Sequence, residues 1–221
     1  MLNVCGIFGV WNVDGAAIDR ESLLRCRDTL IRRGPDESGA EILGNVGLAH
    51  RRLSIIDLSP LGRMPMSNED RSVWAVFNGE IYNFKELRAQ LESFGHRFVS
   101  RTDSEVIVHG YEQWGTDCFD KFDGMFAIAI WDGRNRQMVL ARDPHGKKPL
   151  FVYKHDNTIV FGSTLACVAA WPSFQRSIDE NSIAEYMNFG YIHAPASIFE
   201  NTKKIRPGSY VVYDDAGNVT E

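Results

Sequence analysis

Cys5 sits close behind the start of the chain, in "MLNVCGIFGVW", and has two readings. As a half-buried strand residue it asks nothing of the four residues before it, which are then an ordinary ragged end. As a nucleophile it needs a base and a place for developing negative charge. The segment "FNGEIYN", Phe77 to Asn83, holds residues suited to the second need. The Asn78 side-chain amide and the Gly79 N–H are adjacent neutral donors that could converge on one oxyanion, with the Glu80 carboxylate beside them. Asn-Gly after an apolar strand is equally the signal of a type I′ hairpin turn. In "AHRRLSIID", strand alternation turns Arg51 and Arg52 opposite ways, so one points inward or into a cleft unless it forms a surface ion pair. In "RTDSEVI", Thr102 or Asp103 stands where a helix N-cap belongs. The loop "RRGPDESG", Arg32 to Gly39, also carries more chemistry than a turn requires.

Other chemistries find less support. His50, His96 and His109 show no i, i+4 pairing and the carboxylates no D-x-D-x-D-G pattern, so no metal site is expected. "HGKKP" lacks the leading glycine and the Ser/Thr of a phosphate loop. With 221 residues and a net charge of -5 of interspersed sign, the chain has no basic stripe for nucleic acid. Cys5, Cys26, Cys118 and Cys167 are far apart and form no C-x-x-C pair, which fits a reducing cytoplasm. The apolar runs are too short to span a membrane. "LNVC" superficially matches the end of a lipoprotein signal but has neither a basic nor an apolar region before it.

The elements that must position these residues are mixed strands and helices without repeats. Strands are expected at "VCGIFGVW", "GLAHRRLSI", "SVWAVFNG", "MFAIAIWD", "QMVLAR", "LFVYKH", "TIVFGS" and "GSYVVYD". Helices are expected at "DRESLLRCRDTLIRR", with Leu23, Leu24, Leu30 and Ile31 on one face, from about Asn83 to a Gly95 cap, at "SEVIVHGYEQW" up to Gly115, and at "DENSIAEYMNFG". Loops too short for crossovers make the sheets mainly antiparallel, in an α+β layered domain.

Taken together, "CGIFGVW", "RGPDESG", "HRRLSIIDLS", "NGEIYN", "TDSEVI", "GMFAIAIWD", "LARDPHGKKPLF" and "GYIHAPASIF" resemble, in this order and spacing, the glutaminase domain of class II glutamine amidotransferases, most of all the asparagine synthetase branch. The resemblance runs from Cys5 to about Gly208. It implies an N-terminal-nucleophile hydrolase fold, a four-layer αββα sandwich with two mainly antiparallel sheets. It implies that Cys5 attacks the glutamine side-chain amide with its own α-amine as base, a group that titrates at about 7.7 to 8.0. Asn78 and Gly79 then form the oxyanion hole and Arg52 pairs with the substrate α-carboxylate. Asp103, with Glu80 beside it, takes the α-ammonium, and backbone groups of Leu53, Ser54, Ile55 and Ile56 line the pocket. The loop at Gly34, Pro35 and Asp36 would cover it.

The partners so implied are L-glutamine and a synthetase domain, in the same polypeptide or on a partner chain, with a homodimer compatible. No cofactor is expected in this domain. ATP and Mg belong to the synthetase domain, which is expected to be absent from residues 5–221, and no "SGG" motif occurs. Residues 1–4 are expected to be a cleaved leader or a mis-assigned start, with Val4 standing for an initiating GTG codon. Trp11, Phe189, Tyr191 and "APASIF" are expected at a domain interface. "GRMPM" and "FGSTLACV" depart from the family pattern, leaving aspartate or another carboxylate as acceptor. The competing expectation is a non-catalytic relative that binds an amino acid or packs on a synthetase.

Overall fold

The computed structural model describes residues 4–53 and 62–221. The strands are β1 (Gly6–Asn12), β2 (Glu37–Leu43), β3 (Val46–Arg52), β4 (Met66–Ser67), β5 (Val73–Ile81), β6 (Gly124–Asp132), β7 (Gln137–Arg142), β8 (Phe151–His155), β9 (Thr158–Gly162), β10 (Thr202–Lys204), β11 (Ser209–Asp214) and β12 (Val219–Thr220). The helices are α1 (Arg20–Asp28), α2 (Phe84–Ser93), α3 (Glu105–Trp114), α4 (Leu165–Ala169) and α5 (Glu180–Phe189). One sheet runs β10-β8-β9-β1-β3-β2 and the other β12-β11-β7-β6-β5-β4, and the paired strands are antiparallel.

Alternate residues of each central strand serve different layers. Ile7 and Trp11 of β1, Val46 and Leu48 of β3, Trp74 and Val76 of β5 and Ala127 and Ala129 of β6 meet in a core between the sheets. The intervening Phe8, Val10 and Ala49 pack with Leu23, Cys26 and Leu30 beneath α1 and α4. Val73, Ala75, Ile128 and Ile130 pack with Leu87, Leu91 and Ile107 beneath α2 and α3. Strands covered on both faces read as nearly continuous apolar runs, which is why "GMFAIAIWD" shows no polar alternation. The layers are helix, sheet, sheet, helix, as expected.

Some elements differ from the sequence reading. Helix α1 ends at Asp28 rather than near Arg33, because Thr29, Leu30 and Ile31 donate to the carbonyls of Cys26, Arg27 and Asp28, the tighter i+3 pattern. The tightening turns Ile31 out to solvent, and the buried face is Leu23, Cys26 and Leu30. Strands β2, β4, β10 and β12 and helix α4 carry no apolar periodicity long enough to announce them. β6 to β9 are not one meander: β6 and β7 lie in one sheet, β8 and β9 in the other, and the chain crosses between them at residues 143–150. Among the described residues, no helix is long and apolar enough to cross a membrane, and all four cysteines are free thiols.

Trp11 corrects the interface expectation. It is fully buried, with its ring edge-on to Trp131 at 5.0 Å, whereas Phe189 and Tyr191 are exposed. Replacing a buried tryptophan by alanine costs about 3–5 kcal/mol, which in a domain of this size is a fall in Tm of roughly 6–20 °C. Trp11→Ala should show that fall by circular dichroism, while Phe189→Ser stays within about 2 °C of the parent.

Candidate active site

The parity that builds the inter-sheet core also builds a pocket at its end. On β3, Leu48 faces the other sheet, so His50 and Arg52 follow it on the same face. On β5, Trp74 and Val76 face inward and Asn78 and Glu80 continue that row. Cys5 precedes β1 with the parity of Ile7. These side chains converge on a pocket of about 360 Å³ that Asp103 and Lys148 complete.

Asn78 and Gly79 are not a hairpin turn. They lie inside β5, paired with Ala127 and Phe126 of β6. Asn78 is fully buried, and among the described residues neither its Nδ2 nor its Oδ1 has a hydrogen-bond partner. Along β5 the N–H of Phe77 is directed at Met64 Sδ, 3.2 Å away, and that of Ile81 donates to Asp103 Oδ2 at 2.9 Å. Backbone groups alternate sides along a strand, so the Gly79 N–H, midway between, faces the same edge and the pocket. Glycine is required there, because a Cβ would stand 2.0 Å from the Met125 carbonyl oxygen.

The Cys5 thiol faces the backbone of Leu53, whose N–H approaches Sγ at 3.4 Å and whose carbonyl lies 3.7 Å from it. Burial pushes the thiol above its ordinary range, and Asp103 adds to the rise; the Leu53 N–H, Arg52 and Lys148 act against it. The group is therefore a neutral thiol near pH 7. His50 is no proton acceptor for it by charge: its Nε2 faces the Phe77 carbonyl at 3.0 Å and so carries hydrogen, and burial holds the ring neutral with a pKa of about 4. Cys5 is flanked by Val4, which lines the pocket and whose N–H donates to the Arg33 carbonyl at 3.0 Å, while Arg33 Nε donates to the Cys5 carbonyl at 3.1 Å.

The two arginines of β3 are both buried, on opposite faces. Arg51 donates through Nε to the Gly34 carbonyl at 3.0 Å, and Arg52 meets Glu37 at 2.6 Å. Gly62 lies against the Arg52 guanidinium so closely that a Cβ there would stand 2.4 Å from it. Asp103 is not the α3 cap. The N-cap is Ser104, with no side-chain capping bond, because the Asp103 carboxylate is turned to the Ile81 N–H of β5. Burial raises its pKa to about 6, opposed by the Ile81 bond and assisted by Glu80.

Leu53 lines the pocket, whereas Ser54, Ile55 and Ile56 lie outside the described residues. The expected lid is not over the pocket. Gly34 packs on the Arg51 backbone, the Asp36 N–H donates to the Arg52 carbonyl at 3.1 Å, and neither they nor Pro35 line the cavity. Lys148 is not among the residues the sequence singles out: "HGKKP" lacks the features of a phosphate loop, and "LARDPHGKKPLF" enters only as part of the family resemblance. Its position comes from Asp143, a buried carboxylate that accepts from the N–H groups of Phe126, His145, Lys147 and Lys148 at 2.9–3.2 Å and so folds the crossing loop.

Layer order and strand parity define an N-terminal-nucleophile amidotransferase fold. Over 98% of this chain and 49% of the other, glutamine phosphoribosylpyrophosphate amidotransferase from B. subtilis superposes with a TM-score of 0.69 at 17% sequence identity. The family model of the glutamine amidotransferase domain matches residues 4–221, and the chain belongs to that family. Two asparagine synthetases (glutamine-hydrolyzing) of Bacillus subtilis, numbers 3 and 1, are 33% and 35% identical over 97% and 98% of this chain. A putative asparagine synthetase (glutamine-hydrolyzing) 2 of Methanocaldococcus jannaschii is 32% identical over 96% of it. The chain spans only 35% and 34% of the two Bacillus proteins.

A buried, neutral thiol alkylates slowly. The rate of Cys5 modification by iodoacetamide should climb with pH to a midpoint above the ordinary thiol value of about 8.5. Lys148→Ala removes a cation that favours the thiolate and should move that midpoint higher, measured by intact mass after timed quenching. A midpoint below that of a free thiol would contradict the burial effect.

Proposed function

We propose that this chain hydrolyses L-glutamine to glutamate and ammonia through a γ-glutamyl thioester on Cys5, as the glutaminase unit of an asparagine-synthetase-like amidotransferase. The observation that carries the reading is the buried Asn78 amide, which has no hydrogen-bond partner among the described residues and lines one pocket with the Cys5 thiol, Arg52 and Asp103. A buried amide without a partner costs about 1–3 kcal/mol, and a ligand oxygen that forms during reaction would recover it.

A zwitterionic amino acid explains the charges. Arg52 receives the α-carboxylate while retaining Glu37, since a guanidinium carries five donors. Asp103 receives the α-ammonium. Its carboxylate, raised by burial to a pKa of about 6, becomes firmly ionised when that cation arrives. The side-chain amide then reaches Cys5 Sγ, with its carbonyl oxygen toward Asn78 Nδ2 and the Gly79 N–H. The sulfur forms a bond to the amide carbon as the thiol proton passes to the Cys5 α-amine. The oxyanion collapses, the carbon–nitrogen bond breaks, and the protonated α-amine returns the proton to the leaving ammonia. Water attacks the thioester by the same acid–base pair and releases glutamate. A raised thiol makes the adjacent base necessary.

The base exists only where the Cys5 nitrogen is an amine. Joined to Val4 it is an amide without a basic lone pair, so the active form begins at Cys5. The ammonia would be passed to an ATP- and Mg-dependent synthetase region, corresponding to the additional length of the relatives named asparagine synthetases, with aspartate or another carboxylate as the acceptor.

Two experiments test this reading. A chain begun at Cys5 and one retaining residues 1–4, each verified by intact mass, are assayed for glutamate release; the first should exceed the second by about 10²-fold or more, and equal activity would remove the α-amine from the mechanism. In the active form, Asn78→Ala should lower kcat by about 10²–10³ with KM little changed. Arg52→Ala should raise KM by well over tenfold, as expected for a loss of about 1.5–3 kcal/mol. Undiminished turnover in the first, or an unchanged KM in the second, would refute the assigned role.

A further inference from the structure

Outside the pocket, the fold gathers the histidines that sequence spacing separates. His109 and Glu112 are three residues apart on α3 and share a face. His96 reaches them from the turn after α2, beyond Gly95 with its φ of +100°. The two rings lie 5.1 Å apart, and one ligating atom from each of His96, His109 and Glu112 falls within 4.8 Å of the others. Glu69, from the loop between β4 and β5, is exposed and brings a second carboxylate to the cluster.

The atoms face one another without bonding. His96 Nδ1 is 3.8 Å and His109 Nδ1 3.9 Å from Glu112 Oε2, and His109 Nδ1 is 4.0 Å from Glu69 Oε2. These separations exceed a hydrogen bond. His109 is buried, and its Nδ1 has no partner. Two tetrahedral zinc ligands at 2.0–2.1 Å from the ion stand about 3.4 Å apart, so each of these three separations is about half an ångström longer than in a liganded pair.

The surrounding groups also prepare the ligands. His96 Nε2 is 3.1 Å from Gln113 Oε1, and His109 Nε2 faces Glu105 Oε1 at 3.7 Å. Glu105 is held by the N–H groups of Val99 and Ser100, both at 2.7 Å, and by the Ser100 hydroxyl. In the tautomers with hydrogen on Nε2, both Nδ1 lone pairs face a carboxylate oxygen, the orientation that a cation between them would bridge. Glu112 keeps Oε2 turned to the histidines because Oε1 accepts from Asn68 Nδ2 at 3.0 Å and lies 3.6 Å from Arg134. Carboxylate or carbonyl acceptors behind ligating histidines are the usual outer support of a metal site.

We propose that His96, His109 and Glu112, with Glu69 as the fourth ligand, bind a divalent zinc-type cation that staples the turn after α2 and the loop before β5 to α3. The donor set of two imidazoles and carboxylates suits zinc over magnesium or calcium, which take all-oxygen sites. The role is structural, since the ion has no place in the pocket chemistry.

The test uses the full chain carrying Cys5→Ser, so that this thiol does not compete, stripped with chelator and titrated with Co²⁺ as a visible probe and then with Zn²⁺. Expected are one equivalent of Co²⁺ with d–d absorption, its displacement by one equivalent of Zn²⁺ and not by Mg²⁺. At a Zn²⁺ concentration about a hundredfold above Kd, Tm should rise by about 5 °C or more. His96→Ala and Glu112→Gln, which leave the buried His109 ring in place, should weaken binding at least tenfold and cut the rise in Tm at the same Zn²⁺ concentration to about half or less. Absence of stoichiometric Zn²⁺ binding in the parent, or binding unchanged in both variants, overturns the site.

Discussion

Side chains alternate along a β-strand, so the apolar residues drawn between two sheets dictate the direction of every residue that follows them in the same strand. In this fold Leu48 commits Arg52, and Val76 commits Asn78 and Glu80. A single residue slipped in register would turn the whole polar set to the helical layers, where Arg51 and Phe77 now lie. The site is therefore held by the inter-sheet core, which includes Trp11, Trp74 and Trp131, more than by its own polar contacts. Burial of both sheet faces makes that register costly to change.

The same enclosure sets the electrostatics. Cys5, His50 and Asp103 are all pushed toward their neutral forms, and in each case loss of solvent is the largest cause. A pocket that disfavours charge on its own groups gains most from a ligand that brings compensating charge. On the proposed reading this favours a zwitterion over a neutral amide: the ammonium would restore the ionised Asp103, and the carboxylate would join the Arg52 guanidinium. Asn78 follows the same logic without charge, because its unmet amide is complementary to an oxyanion and not to a resting ligand.

Much of this was legible in the sequence. The succession of strands along the chain and their antiparallel pairing follow from short loops and apolar runs, the four-layer scheme follows from the family resemblance, and the residues it singles out, Cys5, Arg52, Leu53, Asn78, Gly79, Glu80 and Asp103, do line one pocket. The local signals failed where a distant partner decided the outcome. Asn-Gly reads as a turn, yet β6 carries the pairing past it to Ile81. Asp103 reads as a cap, yet the Ile81 N–H claims its carboxylate. Short edge strands such as β4 and β12 have too few residues to show a period. Lys148 was illegible because Asp143, not any feature of the lysine, points it inward. His96 and His109 seemed unrelated for a similar reason: the turn at Gly95, not helical spacing, unites them.

Helix α3 shows how one element serves two ends of the domain. The residue pair before it, Asp103 and Ser104, lines the pocket, and its first residue, Glu105, anchors the Val99–Ser100 backbone and faces His109 one turn on. No side-chain cap fixes the start of the helix. What fixes it instead are long-range attachments: the Asp103 carboxylate to β5, the Glu105 carboxylate to the preceding loop, and Val106 and Ile107 in the core beneath. Surrendering a local cap for these bonds frees Asp103 from helix formation and locks its carboxylate to the strand that carries Asn78 and Gly79. In the proposed reaction, the group that would take the ammonium is thereby referenced to the groups that would meet the reacting carbonyl, through one strand.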